Sequence, residues 1–342
     1  MKIPLPPGAF RALFFGFLVS WIWVSCSVEE TAQMLGKHSQ APAYLGCRTT
    51  DIREIEFNFS QPVQVLSFSS DPPLPIHEIT DGSPVQVILS GDIPGGEPYT
   101  VDILVKDKDG NTLNVLVPFR SRNERIPQIL INELRTEYSK PKTEFVELKT
   151  LEAGNLGALR LFITGYTANP LVFEFPPVEV NAGEYILVHL RSIENGEGVM
   201  VNEIGTNLAL SGGSDAGVLN RDFWVPGAEK LLHKTDAVYL MDQDDRVIDA
   251  VMLSEYDDPW WSKEYFVQAA DLLYRQGAWV QAGGQIPGPQ DAVITAGIKT
   301  AMTRSICRDK DLPDTNTKAD WYIAATGKAS PGAANDSTRY VE

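Results

Sequence analysis

Beyond Asp51 the chain breaks into short runs in which every second residue is apolar, and each run closes on a turn signal. REIEFNF, QPVQVLSF, SPVQVILSG, PYTVDILVKD and NTLNVLVPF follow one another, with Val85, Val87 and Leu89 alternating, and then Val101, Ile103 and Val105. A period of two puts these side chains on one face of a strand, so each strand needs a second layer to cover it. Asp81-Gly82, Pro94-Gly95-Gly96 and Asp109-Gly110-Asn111 supply the turns between runs. Stacking two sheets face to face buries such stripes.

A chain of 342 residues is long for one core, and 27 Gly and 23 Pro favour many turns over long helices. The expectation is an all-β protein with two β-sandwich domains in tandem. A net charge of -16 without a Lys/Arg cluster argues against nucleic acid as a partner, because phosphate-backbone binding draws its affinity from such clusters.

Ala12 to Val24 is a charge-free run, shorter than the roughly 20 apolar residues a membrane-spanning helix needs. With Lys2 and Arg11 before it, the run reads as a signal peptide over residues 1–25. Ser25-Cys26 resembles the lipobox of bacterial lipoproteins, although Trp23 stands where that pattern has Leu. The resemblance implies that Cys26 is lipidated and that residues 26–50 form a tether. Cleavage without lipid and an uncleaved anchor are the alternatives, and all three place the body outside the cytoplasm. The expected location is thus a membrane-anchored lipoprotein, periplasmic or at the cell surface, with the membrane as a partner through the N-terminal lipid. Cys47 and Cys307 remain, and the sequence leaves open whether they pair. His38, His77, His189 and His233 are scattered, so no metal and no cofactor are expected.

GGEPYTVDILVKDKDGNTLNVLVPF resembles the end of bacterial Ig-like modules, which implies an Ig-like β-sandwich over residues 51–123. Asp107, Asp109 and Asn111 read there either as hairpin chemistry or as a calcium loop. RSRNERIPQ, Arg120 to Gln128, is a charged joint, after which a new series begins with ILINEL and EFVELKT. These pieces, with GALRLFITGY, FEFPPVEVNAGEYILVH, DAVYLMDQDDRVIDAVML and the closing segment after Arg304, resemble the lamin tail domain, an Ig-like sandwich. The closing segment poses its own question, because Asp309, Asp311 and Asp314 have the odd spacing of a calcium loop. The resemblance instead implies structural roles for Arg308, Asp314, Asn316, Trp321, Pro331, Gly332 and Asn335. Arg308 and Asp314 would be partners, Trp321 a core anchor, and Ser330-Pro331-Gly332 the last turn. Asp245, where the family has Gly, implies a looser hairpin.

Residues 128–336 exceed one lamin tail module, so insertions are expected at about 191–235 and 255–303. The second opens with Asp258-Pro259, suited to a helix start. Phe266, Ala269, Ala270 and Leu273 follow at helical spacing, Gly277 is a stop, and a weaker helix is expected from Asp291 to Met302. It also holds Tyr256, Asp258, Trp260 and Trp261, a possible ligand-binding set, because aromatic rings stack on sugar faces while acids accept hydroxyl hydrogen bonds. The alternative is that the two tryptophans merely pin the helix. SGGSDAG, Ser211 to Gly217, lacks the Lys of a phosphate loop, and no G-x-S-x-G occurs, so no catalytic residue and no enzyme activity are expected. The expected role is binding or structural, toward an unidentified envelope protein or glycan. The competing readings are an envelope hydrolase or nuclease-associated protein, and a calcium-stabilised adhesin.

Overall fold

A computed structural model describes residues 40–165, 170–192, 199–281, 283–301 and 303–341. The signal peptide, Cys26 and most of the tether lie outside the described residues. Among those described, no helix is long and apolar enough to cross a membrane.

The fold is all-β. Its first half has strands β1 (Tyr44–Asp51), β2 (Glu54–Phe59), β3 (Val63–Asp71), β4 (Ile76–Thr80), β5 (Val85–Leu89), β6 (Pro98–Asp107) and β7 (Thr112–Arg120). They form two sheets, ordered β1-β2-β5-β4 and β3-β6-β7. Alternation is strict where the sequence showed it. In β5, Val85, Val87 and Leu89 are buried, and in β6, Val101, Ile103 and Val105 are. These residues share one core with Ile55 and Phe57, and the Phe57 ring meets Phe68 and Phe119 of the other sheet edge-on. Each aliphatic side chain so buried contributes roughly 1.5–3 kcal/mol relative to exposure. At the β6–β7 hairpin, Asp107 accepts the N–H groups of Asp109 and Asn111 and the Asn111 amide, so its carboxylate caps a tight turn.

The second half has β8 (Ile129–Arg135), β9 (Phe145–Thr150), β10 (Gly154–Asn155), β11 (Arg160–Ile163), β12 (Leu171–Glu174), β13 (Glu179–Val180), β14 (Tyr185–His189), β15 (Asn220–Trp224), β16 (Asp236–Met241), β17 (Val247–Ser254), β18 (Val293–Ile294), β19 (Ile306–Arg308) and β20 (Trp321–Ile323). A six-stranded sheet, β15-β14-β9-β8-β19-β20, faces a five-stranded sheet, β12-β11-β16-β17-β18, across a second core. The Gly- and Asn-rich stretch read as a first insertion contributes more than loop: β15 joins β14 in parallel.

Helix α1 (Glu264–Arg275) turns Phe266, Ala269, Ala270 and Leu273 onto this core, and Gly277 ends it with φ of 70°. It begins later than the sequence suggested. Residues 258–262 are not helical, because the Trp261 ring is tied by its Nε1 to the Pro287 carbonyl, and the preceding residue, Lys263, is extended. No second α-helix forms from Asp291. Single 3₁₀ turns at Pro289–Asp291 and Ala296–Ile298 flank β18, whose β-branched Val293 and Ile294 pair with the edge of β17 instead. Met302 lies outside the described residues. The β16–β17 hairpin is not loose: Asp245 takes the left-handed conformation itself, with φ of 59°, and its carboxylate pairs with Arg160 at 2.6 Å. Cys47 and Cys307 sit in separate cores as free thiols, so the pairing left open by the sequence does not form.

The joint after β7 is tightly bound. Arg122 makes two hydrogen bonds to Asp244, at 3.0 and 2.8 Å, and the Asn123 side chain donates to the carbonyls of Asn155 and Gly157. Gly96 lies so close that a Cβ there would stand 2.4 Å from the Gly157 Cα.

Candidate functional site

Two groups of side chains stand apart from ordinary packing. The first lies just after β17, where the chain leaves the sheet edge. Ser254 Oγ donates to the Tyr256 carbonyl at 2.7 Å, and the Glu255 N–H donates to Thr235, so the exit is held while Tyr256 through Trp260 face solvent. Tyr256 is 64% exposed and Trp260 81%. Trp261 differs. It is half-buried, packs on the second core and tilts against Phe266 at 5.6 Å. Of the four residues in the sequence-derived set, Tyr256, Asp258 and Trp260 are therefore presented to solvent and Trp261 anchors the segment that carries them. An indole this exposed loses apolar burial without compensation inside the chain.

The second group is buried beneath the outer side of the six-stranded sheet. Here the register runs Asp222, Leu187, Glu147, Glu133, Cys307, Tyr322 from edge to edge. Both glutamates are fully buried. The segment around Ser330-Pro331-Gly332 covers them: the Ser330 N–H and Oγ donate to Glu133, and the Gly332 N–H donates to Glu147 at 2.6 Å. Pro331 sits half-buried between them, and Gly332 has φ of 76°, with a Cβ there 2.6 Å from Asn220 Oδ1. Burial pushes the Glu147 carboxyl well above the ordinary range, and the neighbouring Glu133 charge pushes the same way. Glu133 is raised too, by burial against the pull of the Ser305 and Ser330 hydrogen bonds.

Beside this pair, β8 carries a bulge between Ile131 and Glu133. The bulge frees backbone groups that distant side chains satisfy. Asp249 accepts the Ile131 N–H at 2.6 Å, Arg308 Nε donates to the Ile131 carbonyl at 2.8 Å, and Asn335 donates to the Asn132 and Arg308 carbonyls. Arg308 bridges these contacts, with Nη2 at 2.7 and 2.6 Å from the two Asp249 oxygens, Nη1 at 2.9 Å from Asp314, and its guanidinium 4.6 Å from the centre of the buried Trp321 ring. Burial lifts the Asp249 carboxyl to about 6 against the opposing Arg308 charge, leaving it ionised at neutral pH. Asn316 adopts φ of 56° and donates to the Gly277 carbonyl at the end of α1.

The question of the closing acids is thereby answered by geometry. Asp309 pairs with Arg339 and caps the Asp311 N–H, while Asp314 pairs with Arg308 and caps Asn316, so the three do not converge. Among the described residues no three His, Cys, Asp or Glu are placed to hold a metal ion. Asp249, Glu133 and Glu147 were not among the sequence-derived site residues. For Glu133 and Glu147 the signal was present, because β8 and β9 each hold one of these carboxylates inside an apolar strand.

Comparison with known proteins places this architecture. Residues 127–323, more than half of the chain, match the family described as "TP_1001_2nd: protein second domain". The chain belongs to this family. The matched span runs from just before β8 to the end of β20 and so contains both facing sheets and the Arg308–Asp249 pair. An uncharacterized protein of Treponema pallidum (strain Nichols) is 26% identical over 230 residues, 64% of this chain and 56% of its own length. The chain thus spans little more than half of that relative. Among solved structures, the N-terminal part of the bacterial S-layer protein SbsC has 15% identity and a TM-score of 0.25, covering 43% of this chain and 40% of that one. A DUF4876 family protein from Bacteroides thetaiotaomicron VPI-5482 has 11% identity and a TM-score of 0.26, covering 82% and 90%. Neither superposition is close enough to transfer a fold or a role.

Proposed function

We propose that this is a lipid-anchored, extracytoplasmic binding protein in which an Ig-like sandwich carries a lamin-tail-like sandwich, whose inserted segment meets an envelope glycan. The observation that supports a glycan over other partners is Trp260, 81% exposed beside Tyr256 and the carboxylates of Asp257 and Asp258, on a segment that Trp261 fixes from below. A rigid ring stacks on the C–H face of a sugar at little entropic cost, and adjacent acids accept its hydroxyl protons. Trp260→Ala is expected to weaken binding to envelope polysaccharide about tenfold, read by intrinsic fluorescence titration. The unfolding midpoint should stay within about 0.5 kcal/mol of the parent, since the ring supports nothing else. Full-strength binding by this variant, or no glycan binding by the parent, would remove the reading. The anchor is tested separately. Expressed in a bacterial host fed labelled fatty acid, the parent should incorporate label and partition with membranes, whereas Cys26→Ala should do neither. Equal labelling of the two would sink the lipid assignment.

A further inference from the structure

A cleft of about 700 Å³ opens between the first strand and the β16–β17 hairpin, where the two halves of the chain meet, and Arg48, Thr49, Thr50, Arg122, Asp244 and Arg246 line it. Its charge balance is unlike that of the whole chain, whose net charge is -16. Arg122 is committed to Asp244 by two hydrogen bonds, and Asp245, the other acid of the wall, is committed to Arg160. Arg48 and Arg246 are left over. Both are exposed, and neither side chain has a hydrogen bond or ion pair among the described residues. Both nevertheless act on the same spot, because their charges, behind the Arg122 hydrogen bond, help to hold the Asp244 carboxyl below its ordinary value. Arg48 comes from β1 in the first half and Arg246 from the β16–β17 turn in the second, so what they share is the space between the halves.

From this we infer that the cleft is a phosphate-binding site, in which Arg48 and Arg246 clamp one phosphate group from opposite walls. Guanidinium groups present planar forks of donors that match phosphate oxygens, and a dianion satisfies two of them where a single carboxylate neutralises only one. Asp244, already seated on Arg122, shows that the wall accepts an anion. The phosphate arrives either free in solution or as the headgroup of an anionic lipid. The site is independent of the glycan-binding segment, so either can fail without the other.

The test uses the full chain, with inorganic phosphate titrated by calorimetry at low ionic strength and, in parallel, co-sedimentation with phosphatidylglycerol vesicles against phosphatidylcholine vesicles. The parent should bind at least one of the two probes saturably, and the Arg48→Gln/Arg246→Gln double variant should bind it at least tenfold more weakly. Arg53→Gln, which removes an exposed arginine paired with Asp92 outside the cleft, should bind as the parent does. Binding of inorganic phosphate identifies a free anion as ligand, and binding only to phosphatidylglycerol identifies the headgroup. No saturable binding to either, or equal binding by parent and double variant, overturns the site. Because neither arginine supports a contact, the double variant should unfold at the parent's midpoint.

Discussion

Asp249→Ala is expected to destabilise the protein by about 3–5 kcal/mol, the range seen when one member of a buried ion pair is removed. Asp249 takes a backbone N–H released by the β8 bulge and both contacts from Arg308 Nη2, so its loss strands the Ile131 amide and leaves the more exposed Asp314 as the one carboxylate paired with the Arg308 guanidinium. Chemical denaturation at neutral pH would read the loss as a lower midpoint with an unchanged slope. The double variant Arg308→Met/Asp249→Leu should recover much of it, because two apolar side chains leave no buried charge unpaired, the more exposed Asp314 being open to solvent, even though they cannot bond to the bulge. A single-variant cost below about 1 kcal/mol would mean that the pair is not what closes the two sheets on each other.

That pair also marks where the sequence stopped being legible. Alternation located β5 and β6 residue by residue, and helical spacing found the buried face of α1, because local geometry dictates both. The resemblance pointed to Arg308 and to the nearer carboxylate, Asp314. The deeper partner, Asp249, lies 59 residues earlier in a strand whose apolar pattern gives no sign of a guanidinium opposite it. The same holds for Arg135 and Asp215, 80 residues apart, and for His189 and Asp222, whose partnership depends on a parallel strand arising from a stretch with loop composition. Alternation assigns Glu133 and Glu147 to the side of the sheet that faces away from the core, and that side is ordinarily wet. Here it is roofed: residues around 203–217 bond to Asp222 and Arg135, and residues 330–335 bond to Glu133, Glu147 and Asn132. Whether a strand's polar face meets water or a second cover depends on chain that returns from far away, and no periodicity encodes it.

The roof makes stability depend on pH in an unusual direction. Glu133 and Glu147 face each other across the β8–β9 ladder, both buried and both shifted upward, so the folded state retains protons that the unfolded chain gives up near pH 4.3. Below that pH both states are protonated and the pair costs nothing. As pH rises toward the folded values the unfolded state gains, and stability falls by up to about 1.4 kcal/mol per pH unit for each retained proton. Asp222, Asp236 and Asp249 are also raised by burial and add to the same slope, so the pair has to be isolated by difference. Glu133→Gln does this. Its amide oxygen can still accept the Ser330 N–H, and its amide nitrogen can donate to the Ser305 and Ser330 hydroxyls, which rotate to receive it. Glu147 then ionises without a like charge beside it, on the Gly332 and Asn132 donors. Urea midpoints from pH 5 to 9 should fall steeply in the parent and clearly less in Glu133→Gln, with the variant losing less stability than the parent over that range. Parallel curves would show that Glu133 retains no proton in the folded state and does not act on Glu147.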